Sequence, residues 1–125
     1  STYFFYIYYI KSVLFAFFMT KHSICYVDTT LNIIGGKWKL TILWHLSQST
    51  LRFSELDKRI GGITQKMLTQ QLRELEKDTL IVRKVYPVVP PKVEYSITAH
   101  GKSLGKALHE LNVWGEKHEK LKLHI

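Results

Sequence analysis

The chain has 125 residues, with 18 Lys and Arg against 10 Asp and Glu, a formal charge of +8. That length suits one domain with its own core, and the basic excess raises the local concentration of a polyanion such as DNA. A single cysteine, Cys25, excludes an intrachain disulfide and any multi-cysteine zinc site, and fits a reducing cytoplasm. None of the six histidines pairs at ligand spacing and no H-E-x-x-H motif occurs, so neither a metal nor a cofactor is expected.

Residues Tyr3 to Phe18 form an apolar, aromatic-rich run broken by Lys11 and Ser12. The run is shorter than the roughly 20 apolar residues that cross a bilayer and carries a charge near its middle, so no membrane association is expected. It lacks the basic start and small-residue cleavage site of a signal peptide. Two readings remain for this extension, residues 1–18: an element buried in a dimer interface, or translated upstream sequence with Met19 the true start. Phe, Tyr, Ile and Lys have AT-rich codons, which favours the second. The working domain is then 19–125.

Val27, Leu31 and Ile34 recur at helical spacing and predict a first helix ended by Gly35-Gly36. Trp38, Ile42, Leu43 and Leu46 predict a second, core helix with Lys37 and Lys39 at its start. Ser47 to Leu51 reads as a polar turn or short strand. Phe53, Leu56 and Ile60 give a brief third helix, stopped by Gly61-Gly62. Thr64 is placed to cap the next helix, whose stripe of Met67, Leu68, Leu72 and Leu75 carries it to about Asp78. Two short helices joined by a Gly-containing turn form a helix-turn-helix.

The periodicity then changes from helical to alternating. Leu80 to Tyr86 and Val93 to Thr98, rich in Val, Ile and Tyr, read as two strands around the proline-rich segment 87–92, a β-hairpin wing. Thr98 caps a long amphipathic helix bearing Leu104, Leu108, Leu111 and Trp114 and running to about Leu121. This apolar face is surplus to the core and suits pairing with a second copy of the chain. The expected fold is mainly α with a small wing, a winged helix-turn-helix dimerising through its N- and C-terminal helices.

On the helix from Thr64, the positions outside the apolar stripe are Gln65, Lys66, Thr69, Gln70 and Arg73, within one face. Gln can bond an adenine edge, Arg and Lys guanine, and Thr can offer a hydroxyl or a methyl to thymine. These five are the expected base readers in double-stranded DNA. Lys37, Lys39, Arg52, Lys58, Arg59 and Thr64, with Arg83 and Lys92 on the wing, are the expected phosphate contacts. Eleven Lys or Arg and five Asp or Glu lie between Lys37 and Lys92, so charge and motif coincide.

Cys25, Ile34-Gly35-Gly36-Lys37-Trp38, Arg52-Phe53-Ser54-Glu55-Leu56, Gly62-Ile63-Thr64-Gln65-Lys66-Met67-Leu68, Leu72-Arg73-Glu74-Leu75-Glu76 and Pro90-Pro91-Lys92-Val93-Glu94-Tyr95-Ser96 occur in that order. Together with Trp114-Gly115 they resemble the HxlR-type helix-turn-helix regulators, over about residues 24 to 115. The resemblance implies a winged helix related to the MarR type, a homodimer built by the first and last helices, a two-fold symmetric operator and a bacterial source. Several members of that family respond to electrophiles or oxidants through a cysteine near the N-terminus, the position Cys25 holds. The chain departs from the family at Tyr26, where Pro is usual, and at Thr79, where Gly is usual. A Thr at a turn that needs positive φ strains the connection.

Cys25 has two readings. Burial among Ile24, Tyr26 and Val27 would raise its pKa and make it inert, whereas Lys21 and His22 would lower it toward a reactive thiolate. Two other function classes compete with a DNA-binding regulator. A thiol enzyme using Cys25 needs an imidazole in reach and an oxyanion hole, and no local motif supplies them. A winged helix used only for protein contacts has no need of the basic face.

Overall fold

A computed structural model describes residues 24–123, with side chains from Tyr26 onward. The run 3–18, the side chain of Cys25 and His124-Ile125 lie outside the described residues. The chain divides into two compact units, residues 1–35 and residues 36–125.

In the first unit the described element is α1, Ile24–Ile34. Its last turn closes through the Gly35 N–H donating to the Leu31 carbonyl at 2.7 Å. A Cβ on Gly35 would collide with that same Leu31 carbonyl oxygen, so the turn requires glycine. Of the predicted stripe only Ile34 is buried, while Val27 and Leu31 are exposed.

The second unit runs α2 (Lys39–Gln48), β1 (Leu51–Arg52), α3 (Phe53–Ile60), α4 (Gln65–Lys77), β2 (Ile81–Tyr86), β3 (Lys92–Ile97), α5 (Ala99–Ser103) and α6 (Gly105–Leu123). The strands make an antiparallel sheet in the order β1-β3-β2. Leu51 pairs with Tyr95, and Ile81 with Ile97, which places one apolar face over the helices. The core beneath comprises Ile42, Leu43 and Leu46 of α2, Leu56 of α3, Ile63, and Leu68, Leu72 and Leu75 of α4, with Leu80, Ile81 and Tyr95. Their spacing in each helix follows the 3.6-residue period, and burial of this contiguous set drives the packing.

The local signals act as expected at both capped helices. Thr64 is extended, and its Oγ1 accepts from the Met67 N–H at 3.1 Å. Thr98 is likewise extended, and its Oγ1 accepts from the Gly101 N–H at 2.9 Å. Between α3 and α4, Gly61 and Gly62 both take positive φ, 65° and 74°, which two consecutive L side chains would resist. At α3 the Glu55 carboxylate accepts from the Arg52 N–H at 3.1 Å, covering one of the free amides of the first turn.

Three expectations change. Met67 is 37% exposed and stands outside the buried stripe of α4. The helix capped by Thr98 tightens at Leu104, between α5 and α6: Leu104 keeps helical angles, φ −69° and ψ −20°, while its N–H donates to the Gly101 carbonyl three residues back at 3.2 Å. None of the α6 side chains is buried. The third change, at Lys39, concerns the candidate interface.

α4 ends in a tight reversal. Thr79 has φ of 62°, the one non-glycine residue with positive φ among the described residues. Its N–H donates to the Glu76 carbonyl and the Leu80 N–H to the Leu75 carbonyl, both at 3.0 Å. This is the two-bond pattern of a Schellman motif, with the buried Leu75 and Leu80 giving its apolar contact. The reversal leads from α4 into β2 and so sets the wing beside α4.

Candidate nucleic-acid interface

Gln65, Lys66, Thr69, Gln70 and Arg73 come together. With Phe53 and Glu74 they line one open groove of about 590 Å³ along the outer face of α4. Gln65, Lys66, Gln70 and Arg73 are exposed and Thr69 is half-buried. The Thr69 hydroxyl donates to the Gln65 carbonyl at 2.8 Å, so its proton is used within the helix, and an oxygen lone pair and the methyl are what remain to offer. A methyl there suits thymine contact.

Arg83 joins this surface from the wing. It shares a smaller depression of about 320 Å³ with Thr69, Arg73, Glu76 and Tyr95. The cross-strand register places Arg83 opposite Tyr95, on the sheet face turned toward the helices. Thr64 stands at the N-terminus of α4, where unpaired amides favour phosphate.

The remaining basic residues are divided. Lys58 and Arg59 are exposed in the last turn of α3, and Lys37 precedes α2 with its ammonium 4.7 Å from the centre of the Trp38 ring. These three line neither groove. Arg52 and Lys92 belong to the opposite sheet face from Arg83, where Arg52 pairs with Glu94 across the strands. There the Lys92 ammonium lies 2.9 Å from Glu94, and the Tyr86 hydroxyl donates to the same carboxylate at 3.1 Å. Lys84, not singled out from the sequence, places its ammonium 4.8 Å from the centre of the Tyr86 ring, and Lys92 stands 5.0 Å from it. The Lys92 bond holds the Glu94 carboxyl below its ordinary value, with Tyr86 and the charges of Lys92 and Arg52 adding to the effect against desolvation.

Lys39 departs from its expected role. Its residue exposure is only 7%, and its ammonium lies 2.7 Å from a Glu74 carboxylate oxygen. A cation committed in this way to the protein is not presented to phosphate. The helical period explains it, since Lys39, Ile42, Leu43 and Leu46 share the buried face of α2. Bonds from Lys39 and then Gln70 hold the Glu74 carboxyl below its ordinary value, helped by the Lys39 charge. Sequence reasoning also missed Glu74 itself and Phe53, although Glu74 stands four residues after Gln70, on the same helix face.

The α6 side carries a different surface. Leu111 and Trp114 are 59% and 66% exposed, whereas Leu104 and Leu108 are half-buried. Leu40, Leu43, Trp44, Ile97, Leu108 and Leu111 contribute to an open, largely apolar groove of about 1050 Å³ between α2 and α6. Among the described residues no helix is long and apolar enough to cross a membrane.

A helix-turn-helix with a three-stranded wing and a polar, cation-bearing second helix defines the class of winged-helix transcriptional regulators of the MarR type. Residues 33–122 match the family described as HxlR-like helix-turn-helix, and the chain belongs to that family. It is 54% identical over 95 residues to the uncharacterized HTH-type transcriptional regulator YdeP of Bacillus subtilis (strain 168), covering 76% of this chain and 74% of that one. Among solved structures it is similar to the HTH-type transcriptional regulator ytcD, at 54% identity and a TM-score of 0.72 over 75% of this chain and 96% of that one. It is also similar to the redox regulator HypR in its oxidized form, at 47% identity and a TM-score of 0.69, over 74% of this chain and 96% of that one. The protein is therefore a transcriptional regulator with a helix-turn-helix.

Proposed function

We propose that the chain acts in the cytoplasm as a homodimer that binds an inverted-repeat operator, with α4 of each subunit in the major groove. The observation that carries this reading is the convergence of Gln65, Lys66, Thr69, Gln70 and Arg73 on one open groove, with Arg83 beside it. The five side chains are suited to base edges. Thr64, Lys37, Lys58, Arg59 and Arg83, with Arg52 and Lys92 on the far sheet face, serve as phosphate contacts that fix register. Leu104, Leu108, Leu111 and Trp114 form the dimer surface, a role their incomplete burial supports.

Duplex binding measured against salt tests the reading. Counterion release should make the logarithm of affinity fall with the logarithm of salt at a slope steeper than about −3, several phosphates being neutralised per dimer. Salt-insensitive binding, or none, would instead favour a winged helix used for protein contacts.

A second reading concerns control. Cys25 is the one thiol of the chain, and the similar protein HypR is described as a redox regulator. Oxidation of Cys25, or its alkylation by an electrophile, is accordingly proposed to release the operator. Diamide should weaken operator binding by the wild type and not by Cys25→Ser; equal weakening of both proteins removes Cys25 from the mechanism.

A further inference from the structure

The recognition groove contains a carboxylate, Glu74, among side chains suited to an acidic duplex. An unneutralised carboxylate there would repel phosphate. Glu74 is engaged on both oxygens: Oε2 lies 2.7 Å from the ammonium of Lys39, and Oε1 accepts from Nε2 of Gln70 at 3.4 Å. Lys39 belongs to α2 and has a side chain only 9% exposed, so it has little freedom to leave its partner. Glu74 is 41% exposed and stands one helical turn beyond Gln70.

A carboxylate accepts hydrogen bonds and cannot donate them. Glu74 therefore distinguishes the two ends of the Gln70 carboxamide, drawing the nitrogen toward itself and leaving the oxygen directed away. A flipped amide would set oxygen against oxygen. With one N–H given to Glu74, Gln70 keeps its Oε1 and a second N–H for the duplex. One acceptor and one donor are the set that matches adenine N6 and N7. At 3.4 Å the bond is long for its kind, so it biases the amide instead of locking it.

Resting on the reading of α4 as the base-reading helix, we infer that Lys39 and Glu74 are positioning residues for Gln70: the buried ammonium fixes the carboxylate, and the carboxylate orders the donor and acceptor that Gln70 presents to a base. Specificity at one base pair then begins on α2, at a residue that touches no DNA.

The test is sequencing of duplexes selected from a randomised pool by the wild type and by Gln70→Ala, Glu74→Gln, Lys39→Met and the Gln70→Ala/Glu74→Gln double variant. Urea unfolding and affinity for random duplex are measured on the same proteins. Gln70→Ala should erase the preference at one position per half-site. Glu74→Gln, which can meet either end of the amide, should weaken preference at that same position about threefold to tenfold, the scale of one modest hydrogen bond. Other positions should be unchanged, and the double variant should match Gln70→Ala.

Lys39→Met, which leaves the carboxylate neither held nor neutralised, should weaken preference at that position and also lower affinity for operator and random duplex alike; if it does not fold, Glu74→Gln decides alone. Preference kept in Glu74→Gln overturns the inference. So does an equal relaxation at every position, which marks a purely structural ion pair, or an equal tightening on operator and random duplex, which marks a pure charge effect. If Gln70→Ala alters no position, the assignment of Gln70 as a base reader fails. If it alters one and Glu74→Gln does not, only the positioning role fails.

Discussion

Replacing Thr79 by glycine should stabilise the protein. Thr79 holds φ of 62° at the turn that joins α4 to the wing, and its branched side chain opposes that conformation. A non-glycine residue in the left-handed region gives up about 1–2 kcal/mol, and a β-branched one lies toward the upper end. Glycine offsets part of the gain, about 0.5–1 kcal/mol, through its greater freedom in the unfolded chain. The hydrogen bonds of the turn use backbone atoms: the Thr79 N–H to Glu76, the Leu80 N–H to Leu75, and the Thr79 carbonyl that accepts from the Thr98 hydroxyl at 2.7 Å. Glycine keeps all three. The bond it loses, from the exposed Thr79 hydroxyl to the Asp78 carbonyl at 2.6 Å, competes with water and contributes little. The net expectation is a gain of about 1 kcal/mol, or about 4–8 °C in melting temperature for a unit of this size. Urea unfolding followed by circular dichroism measures it, with the midpoint rising at unchanged m-value. Thr79→Ala, which removes the branch and keeps Cβ, should gain less. A Thr79→Gly protein no more stable than the wild type would refute the claim that strain at this turn is relieved by glycine.

Gly101 is buried, and a Cβ there would collide with the Leu80 carbonyl and approach Ile97 Cγ1 to 2.7 Å, so Gly101→Ala should cost about 1–3 kcal/mol in the same assay. Arg73→Ala should cost about 1–3 kcal/mol of operator binding and relax one position, while Lys58→Ala should weaken operator and random duplex alike; equal losses for Arg73→Ala would demote it to a phosphate contact. Folded Glu74 and Glu94 both hold their carboxyls below the ordinary value of 4.5, so the stability they contribute is present above that value and is lost as pH falls below it. An acid titration of the unfolding midpoint should therefore decline below about pH 4.5 and decline less in Glu74→Gln.

Much of the fold was legible because short-range physics dictates it. Thr64 and Thr98 stand where a side-chain oxygen can serve free amides, Gly61-Gly62 supplies the backbone that the turn needs, and alternating Val, Ile and Tyr define the wing. The polar face of α4 was legible from the same periodicity, and the five residues proposed as base readers line one groove. Lys39 was misread because a lysine at a helix start suggests a solvated cation, although its spacing from Ile42, Leu43 and Leu46 marked the buried face. The tightened turn at Leu104 was not legible, since the apolar stripe runs through it without a change of period. The division of the basic residues between two sheet faces depends on the strand register, which turn composition alone leaves open.

The central claim, that paired recognition helices read a symmetric site, is tested most directly by sequencing the duplexes that the full-length protein selects from a random pool. Two recognition helices related by a dyad should yield inverted repeats whose half-sites lie about 10–10.5 base pairs apart, one turn of B-DNA. Selected sites without inverted symmetry, or a pool that stays random, would contradict it.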